Sequence, residues 1–182
     1  MRFAFFPLLA LTLALPGCIS PQPEPDPTPS RTPGRTAARA TPASIETGYA
    51  TMESEILVLV NKERRRHGLQ PLVLNPRLEL AAKLHAQNMA RFRKMAHDLP
   101  ESPLPTLSHR AQHVAYYFAT IAENIALGYP DAETVVTGWM KSPGHRQNIL
   151  SREIVEIGTG VADSPSGRLY FCQVFGRQRM SI

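Results

Sequence analysis

The chain holds little cysteine: Cys18 and Cys172 are the two such residues in its 182. Cys18 directly follows an N-terminal leader and Cys172 lies in the body of the chain, so the domain holds one cysteine and no internal disulfide can staple it. The fold must therefore rest on a hydrophobic core. A domain near 140 residues buries about two thirds of the surface its unfolded chain exposes, so no staple is needed. Apolar runs are short as well. The longest, Phe3 to Leu15, falls below the roughly 20 residues of a transmembrane helix. HExxH and GxSxG are both missing, which excludes the local zinc signature and the nucleophile elbow. Tryptophan occurs once, at Trp139.

What is present begins with an export signal. Residues 1–17 carry one charge at Arg2, an apolar run and small residues leading into Cys18, the layout of a secretory leader. Leu15, Pro16, Gly17 and Cys18 resemble a bacterial lipobox, in which cleavage precedes a cysteine that becomes lipidated; Pro16 departs from the usual small residue. Diacylation of Cys18 would hold the mature chain on a membrane, since each buried CH2 contributes ~0.8 kcal/mol. A plain leader, giving a secreted protein, is the alternative. Residues 18–48 include PQPEPDPTPSRTPGR, with almost no large apolar side chain. Such a stretch reads as an extended tether of about 3.1 Å per residue. The remaining residues, 49–182, make one domain.

The formal charge is +5 and the pI about 9.6, with Arg64, Arg65 and Arg66 the densest basic run. Such a surface leans toward anionic lipid or cell-wall polymer, although a solvated helix face accounts for that run by itself. Nothing in the pattern points to nucleic-acid readout. Cys172 sits inside LYFCQVF and is expected to be buried and inert.

Met52, Ile56, Leu59 and Val60 fall on one face of a helix over 49–66, which Gly68 and Pro71 end. Asn75 and Pro76 open a second helix as cap and first-turn residue. Its apolar side holds Leu78, Ala81, Ala82, His85, Met89 and Phe92, so His85 is expected in the core with one satisfied hydrogen bond. Residues 96–107 are a proline-rich loop, and a shorter helix is expected around 110–118. IAENIALG alternates as a strand, with Ile121, Glu123, Ile125 and Leu127 on one face. A buried Glu123 is costly unless paired, so it requires a partner. Asp131 caps a helix to Lys141, and Ser142 and Pro143 start another. His145 then stands third in that helix, near its positive end, where the neutral ring is favoured. EIVEIGTGVAD and RLYFCQVFG, joined by SPSG, form an antiparallel hairpin. Together these elements give a layered α/β protein with its strands late in the chain.

ARFRKMAH, AENIALG, WMKSPGHRQNIL, EIGTGVA and YFCQVFG, in that order between residues 50 and 178, resemble the CAP superfamily (SCP/PR-1-like), in particular its short bacterial branch. The resemblance implies an α+β fold: a three-layer α-β-α sandwich with a central antiparallel sheet. It also implies a cleft that gathers two histidines and two acids. Matched residue by residue, these are His97, Glu123 and His145; the second acid is missing, and Ser142 stands where it is sought, three positions beyond Trp139.

Two imidazoles and a carboxylate are the ligand set of an open zinc site, which makes His97, Glu123 and His145 candidate metal ligands and zinc the candidate cofactor. The same trio serves equally as a hydrogen-bonded brace between the His97 loop and the His145 helix. A Ser142–His145 nucleophile pair is disfavoured, because a capping serine aims its hydroxyl at backbone amides. Three functions stay open: a tethered module binding a lipid, glycan or peptide in the cleft of His97, Glu123, Ser142 and His145; a zinc hydrolase of the envelope acting through the same cleft; and a structural envelope lipoprotein. His67, His109 and His113 are unassigned, and Tyr116, Tyr117 and Phe118 are expected in the core.

Overall fold

A computed structural model describes residues 42–180, with side chains from residue 47 onward. The leader, Cys18 and the proline-rich stretch before residue 42 lie outside the described residues. Helix α1 spans Pro42–Arg66; it starts ahead of Tyr49, so residues 42–48, read from sequence as the end of the tether, are helical.

The short strand β1 (Val73–Leu74) follows, then α2 (Pro76–Phe92). The Asn75 side chain accepts from the amides of Arg77 and Leu78, and Pro76 fills the first turn, where a missing N–H costs nothing. Helix α3 covers Leu107–His113, capped by Thr106. Phe118 does not continue it, as the sequence led one to expect, but begins strand β2 (Phe118–Leu127). Asp131 caps α4 (Ala132–Lys141) by accepting from the Thr134 amide, and α5 spans Pro143–Ile149. Strands β3 (Glu156–Asp163) and β4 (Leu169–Gln178) close the chain.

The sheet order is β1-β3-β4-β2. The hairpin and the β2–β4 pairing are antiparallel, with Glu123 opposite Val174. The sheet is not wholly antiparallel: β1, too short to show a period of two, pairs parallel to β3 through Val73 and Glu156.

Alternation splits the strands between two cores. Ala126, Ile157, Val161, Phe171 and Phe175 pack with Ile56, Val60, Val136 and Trp139 of α1 and α4. Ile125, Ala162, Tyr170, Cys172 and Val174 pack with Leu78, Ala82, Ala86 and Met89 of α2. These are the two outer layers around the sheet. Helix α2 lies so close to β3 that a Cβ at Gly158 would fall on the backbone of Leu78 and Glu79, and one at Gly160 on that of Ala82 and Lys83. That approach needs glycine.

Arg64 corrects the reading of the basic run as a solvated face. It is buried, and its guanidinium donates to the carbonyls of Gln70, Ile149 and Ser151, closing the C-terminal end of α5. Arg65 and Arg66 are exposed. The three aromatics divide similarly: Tyr116 is buried and donates to Glu156 Oε2 at 2.6 Å, Phe118 is half-buried, and Tyr117 is exposed.

Candidate functional site

Glu123 sits on β2, an edge strand, and its side chain turns toward α2 and α3. It is 7% exposed. His97 Nδ1 donates to Oε1 at 2.9 Å, and the Arg110 guanidinium donates to Oε2 at 2.7 Å. The Cys172 thiol points at the same Oε2 from 3.4 Å, and His85 Nε2 lies 3.7 Å from Oε1. The partner that a buried acid requires is therefore Arg110 together with His97.

Arg110 is fully buried on α3, where an arginine among apolar positions is the one sequence signal of its role. His85, on the apolar stripe of α2, is also fully buried. It donates from Nε2 to the Ala96 carbonyl at 3.0 Å, the single hydrogen bond expected of a core histidine.

Burial and charge set the protonation states. Burial alone would raise the Glu123 carboxyl; the His97 hydrogen bond and the surrounding positive charge outweigh it and hold the group below the usual carboxylate range. His85 is pushed down to about 4 by burial and is neutral at neutral pH, so His97 and Arg110 carry that effect. The hydrogen bond to Glu123 raises His97. Burial pushes the Cys172 thiol up, and the neighbouring carboxylate adds to it; as expected from sequence, this thiol is buried and unpaired. His145 is lowered by burial and by the charge of His97.

The structure brings His97 and Glu123 into contact, whereas His145 is carried on α5, which is tied to the strand through the neighbouring residue Asn124. Asn124, one residue beyond Glu123, turns to the opposite face of the sheet. Its amide donates to the His145 carbonyl at 3.2 Å and to Gln173 Oε1 at 3.2 Å, and accepts from Asn148 Nδ2 at 2.9 Å. Helix α5 thus hangs beside the edge of β2, and among the described residues the His145 ring makes no hydrogen bond to His97 or Glu123. Ser142 occupies the cap position of α5, half-buried, yet its hydroxyl makes no capping bond, contrary to the sequence expectation. His67 pairs with Arg146 and His109 with Thr106, away from Glu123.

A metal ion fits this arrangement poorly. Among the described residues no three His, Cys, Asp or Glu form a group able to hold one. His97 Nδ1 is spent on Oε1, Oε2 is taken by a guanidinium, and a divalent ion at that carboxylate would stand beside a fixed positive charge. Of the zinc set read from sequence, His97 and Glu123 touch, and His145 makes no hydrogen bond to either among the described residues.

The profile of the family described as Cysteine-rich secretory protein family, CAP, matches residues 57–175. The chain belongs to the CAP family. Among CAP relatives, the uncharacterized protein YkwD of Bacillus subtilis is 32% identical over 137 residues, covering 75% of this chain and 52% of the relative. A solved extracellular protein containing a SCP domain from Bacillus anthracis superposes with a TM-score of 0.71 at 30% identity, over 78% of this chain and 45% of that one. An outer surface protein from Borrelia burgdorferi gives 0.62 at 22% identity, over 68% of this chain and 90% of that one, and shows the shared fold. The chain spans about half the length of the two Bacillus relatives.

Proposed function

We propose that this CAP protein is exported, anchored to a membrane of the cell envelope through lipidated Cys18, and binds a small lipid, glycan or peptide in the cleft between His97 and His145 without hydrolysing it. The observation that carries the reading is the Glu123 carboxylate, bonded on both oxygens by His97 and Arg110. A carboxylate so engaged offers a weak base and no open metal position. What it provides is a fixed wall, from which His97 projects into solvent with its side chain 57% exposed. The extracellular and outer-surface descriptions of the Bacillus anthracis and Borrelia proteins support the export half of the reading.

The test is native mass spectrometry of the chain isolated from producing cells without chelator. A retained organic ligand, lost in His97→Ala while the fold survives, is expected. Stoichiometric zinc with peptide or wall-polymer turnover contradicts the binding module and favours the hydrolase, and a folded chain that retains nothing favours the structural lipoprotein. For the anchor, Cys18→Ser is expected to release the protein into the medium; an unchanged distribution contradicts lipidation.

A further inference from the structure

Arg110 has the surroundings of a bound cation. Fully buried on α3, its guanidinium meets three oxygens: Glu123 Oε2 at 2.7 Å, the His97 carbonyl at 3.3 Å and the Leu104 carbonyl at 3.4 Å. One oxygen is charged, and the other two come from the loop that carries His97. Carboxylate and carbonyl oxygens gathered from a loop are the setting in which proteins hold hard cations. On the far side of the same carboxylate, two imidazole nitrogens converge on Oε1, His97 Nδ1 at 2.9 Å and His85 Nε2 at 3.7 Å. His85 Nδ1 is buried with no hydrogen-bond partner.

We propose that Arg110 is the resident cation of this cleft, its guanidinium doing for Glu123 and the His97 loop what a bound metal ion would do and so keeping the chain metal-free. The inference rests on the binding-module reading in taking His97 and Glu123 as the wall of the cleft. Three effects follow from one side chain. The guanidinium compensates a carboxylate that is otherwise too costly to bury. It ties the carbonyls of residues 97 and 104 to β2, fixing where His97 emerges. It also repels any divalent ion that approaches the imidazoles and carboxylate beside it.

Zinc chloride titrated into the full chain and into its Arg110→Met variant, read by native mass spectrometry and thermal melting, tests this. The unaltered chain is expected to take up no stoichiometric zinc and to keep its Tm. Arg110→Met is expected to melt lower in chelator, then gain one zinc per chain with a rise in Tm, because the repulsion is gone and Glu123, released from the guanidinium, is free to turn and complete with the imidazoles a ligand group that the unaltered chain does not form. Stoichiometric zinc on the unaltered chain, abolished by His97→Ala, overturns the proposal, as does a folded Arg110→Met chain that takes up none. Should Arg110→Met fail to fold, the double variant Arg110→Met/Glu123→Gln decides. Folding is expected to return once no uncompensated carboxylate is buried, and its failure to return overturns the charge role. Retention of an organic ligand is read in the zinc-free spectra, so the binding-module reading fails or stands separately.

Discussion

Asn148 donates from its side-chain amide to Asn124 Oδ1 at 2.9 Å, and the same nitrogen reaches the Glu123 carbonyl at 3.3 Å. Since Asn124 also holds the His145 carbonyl, α5 is fastened to the edge strand directly behind the carboxylate. His145 is therefore positioned by amides, and His97 by charges, through neighbouring residues that face opposite sides of one strand.

Asn148→Ala removes the only donor to Asn124 Oδ1 among the described residues and leaves that oxygen buried. The expected cost is about 1–3 kcal/mol, measured by urea denaturation. Trp139, the single tryptophan, is buried and donates to the Ile125 carbonyl at 3.1 Å, so its fluorescence reports unfolding of this region. A loss too small to measure would mean that α5 is held by packing alone.

Removing the charge from Glu123 should cost more. Glu123→Gln leaves the guanidinium of Arg110 buried without its counterion, and breaking one side of a buried pair costs about 3–5 kcal/mol. His97→Ala, by contrast, leaves the charge of Glu123 compensated by Arg110 and strips the buried Oε1 of its hydrogen bond, which is expected to cost about 1–3 kcal/mol. Equal losses in the two denaturation curves would place His97, rather than Arg110, as the principal support of the carboxylate.

Acid should weaken the fold before the carboxylates titrate. His85 falls from an ordinary 6.5 to about 4 in the folded chain because burial disfavours its charged ring. Between those values the unfolded chain binds a proton that the folded chain refuses. Stability present above about pH 6.5 is thus lost as pH falls toward about 4, by up to roughly 3 kcal/mol. The lowered carboxyl of Glu123 acts in the same sense further down, its contribution being present above the unfolded value and lost as pH falls through the folded one. His97, raised by Glu123, acts oppositely: its contribution is full below the unfolded value and disappears as pH rises through the folded one, and its exposure keeps it small. Urea midpoints between about pH 7 and 4.5 should fall steadily, and His85→Gln should flatten the slope. A midpoint unchanged across that range would show that the folded chain accepts the proton.

Local signals carried most of the fold. Asn75–Pro76 and Asp131 mark helix starts through single backbone amides and one fixed φ, and the alternation in IAENIALG marks a strand, because each depends on neighbours in sequence. Family resemblance placed His97 and Glu123 in one cleft. Arg110 and Arg64 were not legible in the same way. Whether an arginine meets water or a carbonyl far along the chain is decided by tertiary packing, and a basic run looks alike in both cases. The place of His145 follows from the same alternation that exposed the strand: adjacent residues Glu123 and Asn124 face opposite layers, so the helix that Asn124 holds cannot lie in the layer that Glu123 faces.

The close seating of α2 on β3 gives the sharpest test of the packing itself. At Gly160 an added Cβ would lie 2.6 Å from the Ala82 carbonyl oxygen, with other Ala82 and Lys83 backbone atoms nearer still. Backbone cannot rotate aside as a side chain does, so Gly160→Ala must lift α2 from the sheet. That helix carries His85 and leads into the His97 loop, so the displacement also pulls apart the groups around Glu123. A loss of at least about 3 kcal/mol, beyond the usual range for overpacking, is expected. Gly144, in the first turn of α5, has nothing within 4 Å of an added Cβ. Gly144→Ala should be neutral or stabilise by up to about 1 kcal/mol through helix propensity and a less flexible unfolded chain. Thermal melts of the two alanine variants side by side decide the matter: a Gly160→Ala chain as stable as Gly144→Ala would mean that β3 and α2 stand further apart than described, and that the wall bearing His97 is not held from beneath.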